Sequence, residues 1–399
     1  MRIIDIGNGS IVKNLVRIAI TKVEVGMFIS EQTPGLKEAG LNSRGLISRL
    51  ETLKKLQAAG IKELYIDISK GKSSRFVRPI PARAEQLKPR VGLKQERERA
   101  EAVYGDAKEL VGNLLRNVKM GQAIDVGPVN DIACEINESV LNNANALLCL
   151  SHIREKSAYL LEHSINVGIL MGVFTRFLGF SLRDREQLIT GALLHDIGKI
   201  RVSNSILDKP GKLTGEEWAE MQRHVEYGEE VLRKSEGISA FALSVCTQHH
   251  EKLNGEGYPR GIGGDSISLA GRLATIVDIY DALTADRCYH EGKTPFEAIK
   301  IMSYLAGDQL DRELFYQFIH CMSVYPVGSL IELNNGRLAV VIQINNGKPK
   351  QPIVRVIYNA RHRNFETIKV VDLSAAQCQL SVSSVVDPDK YDIDIREFL

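Results

Sequence analysis

The sequence predicts a chain of several domains: an all-α helical bundle, with a small α/β domain before it and a mostly β segment after it. Three observations carry that expectation. The chain has 399 residues, 44% of them hydrophobic, which is room for two or three domains with cores of their own. From Lys156 to Met322 the apolar residues keep a helical period and no run alternates like a strand. Beyond Pro326 the pattern changes to short β-branched runs flanking Asn335-Gly336, a turn pair suited to hairpins.

Taken in order, residues 1–70 read as the small α/β domain. Ile18–Ile29 is β-branched and apolar, punctuated by Gly26. Leu46–Ala59 has helical spacing (Leu46, Leu50, Leu53, Leu56) and stops at Gly60, and Leu64–Ile68 reads as a short strand. Residues 71–99 form a basic linker. From Lys70 to Arg99 there are ten Lys or Arg against three Glu, with prolines at 79, 81 and 89. That composition suits a solvated connection, or else a strip for docking anions.

Connecting helices are expected over 100–155. Their stripes are Val103, Ala107, Leu110, Leu114 and Val118, then Ile132, Ile136, Val140, Ala144 and Leu147. These helices either flank the bundle or pair with another chain, and the first is preferred because the bundle needs cover. The bundle itself spans 156–325. The C-terminal segment, 326–399, adds a second Asn346-Gly347 before Ile353–Tyr358.

Composition excludes several classes. A net charge of +2 argues against a nucleic-acid coat or an acidic tail protein, so no nucleic-acid polymer is expected as a partner. The most apolar stretch, Ile165 to Phe180, is broken by Arg176, so membrane insertion is not expected. The N-terminal MRIIDIGNGSIVKNLV lacks the apolar core of a secretion signal. Six dispersed cysteines without a CxxC pair read as reduced thiols in the cytoplasm.

Chemistry concentrates in the bundle. Five of nine histidines (163, 195, 224, 249, 250) fall within 88 residues on or beside expected helices. His195-Asp196 closes one apolar helix, His249-His250-Glu251 closes another, and Asp278 and Asp281 lie one turn apart. Imidazole and carboxylate are the usual ligands of zinc, manganese and iron. Neighbouring helical residues point about 100° apart, so His195 can hold one ion while Asp196 bridges to a second. Thr214 to Glu217 is a capping box that starts the helix carrying His224 about three turns in. Taken singly, each histidine reads as an ordinary core or surface residue; the joint pattern does not. Tyr258 reads as a turn aromatic packing on Pro259 or as a ligand-facing phenol. Asp281 and Glu251 read as supports for ligands or as plain helix charges.

HDIGK (195–199), ILDKPGKLTGEEW (206–218), HHEKLNGEGYP (249–259) and DIYDALTADRCY (278–289) resemble, in order, the motifs of the HD-GYP family, a branch of the HD phosphohydrolase superfamily. The resemblance covers roughly residues 156–325. Residues 1–70 resemble a domain of unknown function often fused ahead of such domains, and the segment from Tyr325-Pro326-Val327-Gly328 resembles the tail they carry. The resemblance implies metal ligands at His163, His195, Asp196, His224, His249, His250 and Asp278. It implies an active-site lysine at Lys199, and substrate contacts at Lys199, Pro210, Tyr258 and Arg287. Where some members place a third-metal glutamate, this chain has Tyr159, so two divalent ions are expected: iron or manganese first, with zinc, nickel or magnesium as alternatives. Asn254 replaces a common Asp, and His290 stands where a basic residue often follows Tyr289.

The activity so implied is hydrolysis of cyclic di-GMP to linear pGpG by a metal-bridging hydroxide, with Asp196 and Lys199 catalytic; a further step to GMP is left open. Two alternatives stay open: a cyclic di-GMP receptor with slow or no turnover, and another HD-type nucleotide phosphohydrolase. Signalling proteins are further candidate partners, through the Gly-Tyr-Pro face or the flanking domains. The sequence leaves the oligomeric state and the input signal undecided.

Overall fold

The computed structural model describes residues 15–20, 23, 27–29, 45–47, 50–61, 63–67, 88–151, 159–285, 292–345, 348 and 350–399. The expected contacts at Arg287 and His290, the Asn346-Gly347 turn and most of the basic stretch before residue 88 lie outside the described residues. Two compact units divide the chain, 1–86 and 87–399.

In the first unit the described strands are β1 (Leu15–Ala19), β2 (Phe28–Ile29), β3 (Gly45–Leu46) and β4 (Glu63–Asp67), with helix α1 (Leu50–Ala58) between the last two. They form an antiparallel sheet in the order β1-β4-β2-β3. Met27, Ile47, Leu56 and Leu64 are fully buried and make its core. The helix begins four residues later than its leucine spacing suggests. Leu46 pairs with Phe28 in the sheet instead, which lets Ile47 turn into the core. At the far end Gly60 takes the left-handed conformation, and the Ile61 N–H returns to the Leu56 carbonyl, closing the helix.

The second unit begins with α2 (Leu93–Lys119), whose first turns take in the end of the basic stretch. Glu96 and Ala100 face inward while Lys94, Arg97 and Arg99 stay exposed, so the helical stripe simply extends back from Val103. Then come α3 (Val126–Leu150), α4 (Tyr159–Leu178), α5 (Leu182–Leu194), α6 (Asn204–Leu207), α7 (Gly215–Gln222), α8 (His224–Lys234), α9 (Ala240–Gln248), α10 (Leu269–Thr284), α11 (Pro295–Leu305) and α12 (Arg312–Met322). Helix α3 kinks at Asn143, where the preceding carbonyl, of Asn142, accepts the N–H groups of Arg90 and Val91 instead of continuing the helical ladder.

Helix α4 is apolar almost all round, and it is the buried axis of the bundle, touching α2, α3, α5, α10 and α12. Phe174 of α4 meets Phe318 of α12 edge to face. Two polar contacts dock α2 on α4: Tyr104 donates to Asn166 Oδ1 at 3.2 Å, and Lys108 pairs with Glu162 at 3.0 Å. The helices before the bundle therefore pack on it. Glu162, next to His163 in sequence, faces this interface.

The C-terminal segment forms β5 (Leu330–Leu333), β6 (Arg337–Gln343), β7 (Ile353–Asn359), β8 (Asn364–Asp372) and β9 (Val382–Val385). Among the described residues they make one antiparallel sheet ordered β8-β7-β6-β5-β9, and the β5–β6 turn holds Gly336 at positive φ, as the Asn-Gly signal requires. Strand alternation splits its apolar residues between two cores. Leu330, Leu338, Val340 and Ile342 join the helical core, whereas Ile331, Leu333, Ala339 and Val341 join a second core on the other face. None of the described helices is long and apolar enough to cross a membrane.

Candidate metal centre

The bundle brings together seven side chains that the sequence singled out. His163 comes from α4, His195 and Asp196 from the end of α5, and His224 from the junction of α7 and α8. His249 and His250 follow α9, and Asp278 lies within α10. His163, His195, Asp196, His224 and His249 are each about 1% exposed. Ligand atoms of His163, His195 and Asp196 lie within 4.8 Å of one another, and so do those of Asp196, His224, His249 and His250. Asp196 belongs to both groups. Asp278 reaches the first of them, 3.0 Å from His163 Nε2 and 3.8 Å from His195 Nε2, and stands 3.8 Å from His250 Nδ1.

The same local device aims three of the imidazoles. His195, His224 and His249 each follow the last residues of a helix, where carbonyls are left without intrahelical partners. Each donates its Nδ1–H to the carbonyl three residues back: Ala192 at 2.6 Å, Met221 at 2.7 Å and Cys246 at 2.8 Å. His163 lies inside a helix and lacks that option; its Nδ1 donates to Asp281 Oδ2 at 2.7 Å. Asp281 thus orients a candidate ligand. His224 does not sit mid-helix as expected. The helix from Thr214 breaks at Arg223, and that break supplies the Met221 carbonyl.

Because carbonyl oxygens only accept, the Nδ1 of His195, His224 and His249 carries the hydrogen, and in the neutral ring the Nε2 then presents a lone pair. Those of His224 and His249 face each other, Nε2 to Nε2 at 3.4 Å, and His195 Nε2 stands 3.3 Å from His163 Nε2, which in turn lies 3.0 Å from Asp278 Oδ1. Asp196 Oδ1 is buried without a hydrogen bond, 3.3 Å from His224 Nε2 and 3.8 Å from His249 Nε2. Converging lone pairs with an orphaned carboxylate oxygen repel unless a cation lies among them. The donor set suits a divalent ion of the iron, manganese or zinc kind.

Electrostatics support that reading. Burial holds His224 down to about 4 and His249 down to about 3, and it pushes His250 down as well, so all three are neutral and ligand-ready at pH 7. Burial opposes ionisation of Asp196, but Lys199, His195 and His224 outweigh it and hold the carboxyl well below its usual range. His163 departs from the others. Burial would lower it, yet Asp278 and Asp281 lift it to about 9.

Close backbone approach fixes the cluster. A methyl group on Gly198 would lie 2.0 Å from the His224 carbonyl oxygen and 2.5 Å from the Gly228 nitrogen, so the turn after Asp196 fits against α8 only as glycine. Glu251 is buried, and its two oxygens accept the N–H groups of Arg260 and Ile262, pinning the loop that carries Tyr258. On that loop a methyl on Gly257 would lie 2.4 Å from the Lys252 nitrogen.

A more open rim surrounds the cluster. Lys199, with its side chain 18% exposed, donates to Asp196 Oδ2 at 2.5 Å. Tyr258 stacks obliquely on His250, ring centroids 4.5 Å apart. Lys209 is engaged with Glu217 at 2.6 Å, and Pro210 is an exposed loop residue beside that pair. One rim residue escaped the sequence reading: Trp218, edge to face with Tyr258 at 6.0 Å. Its one mark in the sequence is its place at the end of ILDKPGKLTGEEW.

Comparison with known proteins gives the following. Residues 148–314 match the HD domain family, 15–129 a Domain of unknown function (DUF3391), and 330–393 a KOW domain associated with HD domain. The chain is similar to the cyclic di-GMP phosphodiesterase PA4108 of Pseudomonas aeruginosa, at 36% identity over 375 residues covering 91% of this chain and 90% of that protein. It is similar also to the 3′3′-cGAMP-specific phosphodiesterase 3 of Vibrio cholerae, at 43% identity over 171 residues covering 43% of this chain and 37% of that protein. Among solved structures it is similar to Bd1817, an HDG"Y"P protein from Bdellovibrio bacteriovorus, with a TM-score of 0.47 and 17% identity, covering 76% of this chain and 98% of that one.

Proposed function

This chain belongs to the HD-GYP family, the branch of HD-domain proteins whose motifs it carries and whose full-length relative it matches, and on that premise we propose that it is a metal-dependent phosphodiesterase that opens cyclic di-GMP to linear pGpG. The observation that carries the proposal is the buried Asp196, its Oδ1 without a hydrogen bond, standing in both groups of candidate ligands.

His163, His195, Asp278 and Asp196 would hold one ion, and Asp196, His224, His249 and His250 a second. Divalent cations held there supply Lewis-acid neutralisation of phosphate charge and make a hydroxide nucleophile available near neutral pH. The protein does the remainder. The Nδ1 hydrogen bonds keep His195, His224 and His249 in the ligating tautomer without reorganisation, and Asp281 orients His163, which would give up its Nε2 proton on ion binding. Lys199 brings an ammonium to the non-bridging phosphate oxygens, where charge grows as the nucleophile adds. Tyr258, whose phenol burial keeps protonated, offers an O–H donor at the mouth. Hydrolysis breaks one P–O3′ bond, and the second phosphodiester survives in the linear product. The name of the full-length relative favours cyclic di-GMP over 3′3′-cGAMP as substrate.

The test is turnover of cyclic di-GMP by full-length protein reconstituted separately with iron, manganese and zinc, products separated by chromatography. 3′3′-cGAMP runs alongside, with Asp196→Ala as control. Production of pGpG that disappears in the variant is expected. Tight binding without turnover under every metal would replace the proposal with a receptor role, and faster turnover of 3′3′-cGAMP would overturn the substrate assignment.

A further inference from the structure

Helix α7, like the one-turn α6 before it, has no buried residue. It is held from its ends. The capping box of Thr214 and Glu217 fixes its start, Lys209 pairs with the same glutamate, and Tyr227 donates to Glu220 at 2.9 Å. On this exposed helix sits the only tryptophan of the chain, Trp218, 48% exposed. A tryptophan offers the largest apolar surface of any side chain, and leaving half of it in water forgoes that burial. Trp218 anchors no core, so its placement calls for another reason.

Its neighbours supply one. From the candidate ligand His250 a line of rings runs outward: His250 to Tyr258 at 4.5 Å, then Tyr258 to Trp218 at 6.0 Å with the planes at 82°. His224, at the other end of the α7 segment, also faces Tyr258, at 6.2 Å. The same short stretch therefore delivers a candidate metal ligand inward and an indole outward. A nucleotide whose phosphate rests at the cluster carries its base one ribose further out, and Trp218 offers an aromatic face at that remove.

We propose that Trp218 is the base-stacking platform of the substrate site, a specificity-determining residue that selects purine dinucleotides over bare phosphodiesters. The inference rests on the phosphodiesterase reading above and assigns to it a residue outside the metal-binding set. Stacking reads the face of a base and leaves its hydrogen-bonding edge unread. Trp218 thus contributes equally to guanine and adenine, and the choice between cyclic di-GMP and 3′3′-cGAMP is made elsewhere.

The experiment compares full-length, metal-reconstituted wild type with Trp218→Phe and Trp218→Leu. For cyclic di-GMP and 3′3′-cGAMP alike, Trp218→Leu is expected to raise KM by about 10- to 100-fold, with kcat moving much less. Trp218→Phe should recover most of the loss. Inhibition by inorganic phosphate, which has no base to stack, should keep the wild-type constant in both variants. A merely structural role would weaken phosphate binding and kcat along with KM. The lone indole gives an independent reading: mixing with cyclic di-GMP should quench its emission before turnover, and inorganic phosphate should not. An unchanged KM in Trp218→Leu, or unquenched emission while turnover proceeds, would overturn the assignment and leave the phosphodiesterase reading standing. A wild type that neither binds nor hydrolyses a cyclic dinucleotide would overturn both.

Discussion

The inner cluster and the rim lie side by side, yet they are built in opposite ways. In the cluster His163, His195, His224 and His249 are buried, and a hydrogen bond from each Nδ1 fixes its aim. On the rim, Lys199, Lys209, Tyr258 and Trp218 are partly open to water, and α7 rests on caps and ion pairs with no buried side chain. The difference is what the proposed function asks of each region. A metal needs ligands fixed to within a few tenths of an ångström before it arrives. A flexible dinucleotide needs a surface it can reach from solvent. Rigidity is therefore concentrated around Asp196 and relaxes outward along the ring line to Trp218.

Substitutions can break or sharpen this contrast. The largest effect is expected from Gly198→Ala. The added methyl meets backbone atoms of His224 and Gly228, which cannot swing aside. Overpacking of this kind costs about 1–3 kcal/mol, and more where only backbone can yield. A lowered unfolding midpoint and lost activity are expected, measured by denaturant titration and turnover; normal stability would mean the turn has slack.

Next comes Asp281→Ala, which removes the acceptor of the His163 Nδ1–H. Metal affinity should fall about 10- to 100-fold, as for other lost supports of a ligating histidine. Asp281→Asn, which keeps an acceptor, should recover part of it. Calorimetric titration of the chelated variants with manganese measures both, and wild-type affinity in Asp281→Ala would show that His163 is aimed by packing alone.

A smaller, graded effect concerns pH. In chelator-treated protein, burial holds His224 at about 4 and His249 at about 3, against an ordinary value of 6.5. The unfolded chain takes up protons on these groups near pH 6.5, while the folded chain refuses them until pH 4 or below. Their stabilisation is thus complete above pH 6.5 and is lost progressively as pH falls toward 4. His163, raised to about 9, runs the other way: its stabilisation is complete below 6.5 and is lost as pH rises through 9. Denaturation midpoints of the chelated protein across pH 4 to 10 should therefore peak between these limits. A flat profile from 6.5 to 4.5 would mean that the cluster opens to water without its metal.

The smallest effect is expected at Glu217→Gln on the rim. That carboxylate is solvated, and its pairing with Lys209 is screened. Stability should barely move, and only KM should drift; a collapse of activity would place Lys209 or α7 closer to the chemistry than the geometry does.

The sequence carried much of the cluster and little of the rim, for a physical reason. Imidazoles aimed by backbone carbonyls stand where helices end, so His195 and His249, each with its neighbour, mark themselves by closing apolar periodic runs. Asp278 and Asp281 announce themselves by their one-turn spacing. Nothing periodic marks Trp218, because an exposed aromatic on a capped helix packs into no core. The break at Arg223 was hidden too, since the helical pattern runs through it unbroken. In the first unit, pairing with Phe28 drew Leu46 out of its apparent helix into the sheet, a non-local contact that local spacing does not contain.

The most direct test is to count metal and measure cyclic di-GMP turnover on the same preparations of wild type and Asp196→Ala. If Asp196 joins two ion sites, wild type should carry two ions per chain and make pGpG, and the variant should lose both together by more than 100-fold in rate, as expected when the shared carboxylate of a metal site is removed. A variant that keeps two ions and its turnover would contradict the account at its centre.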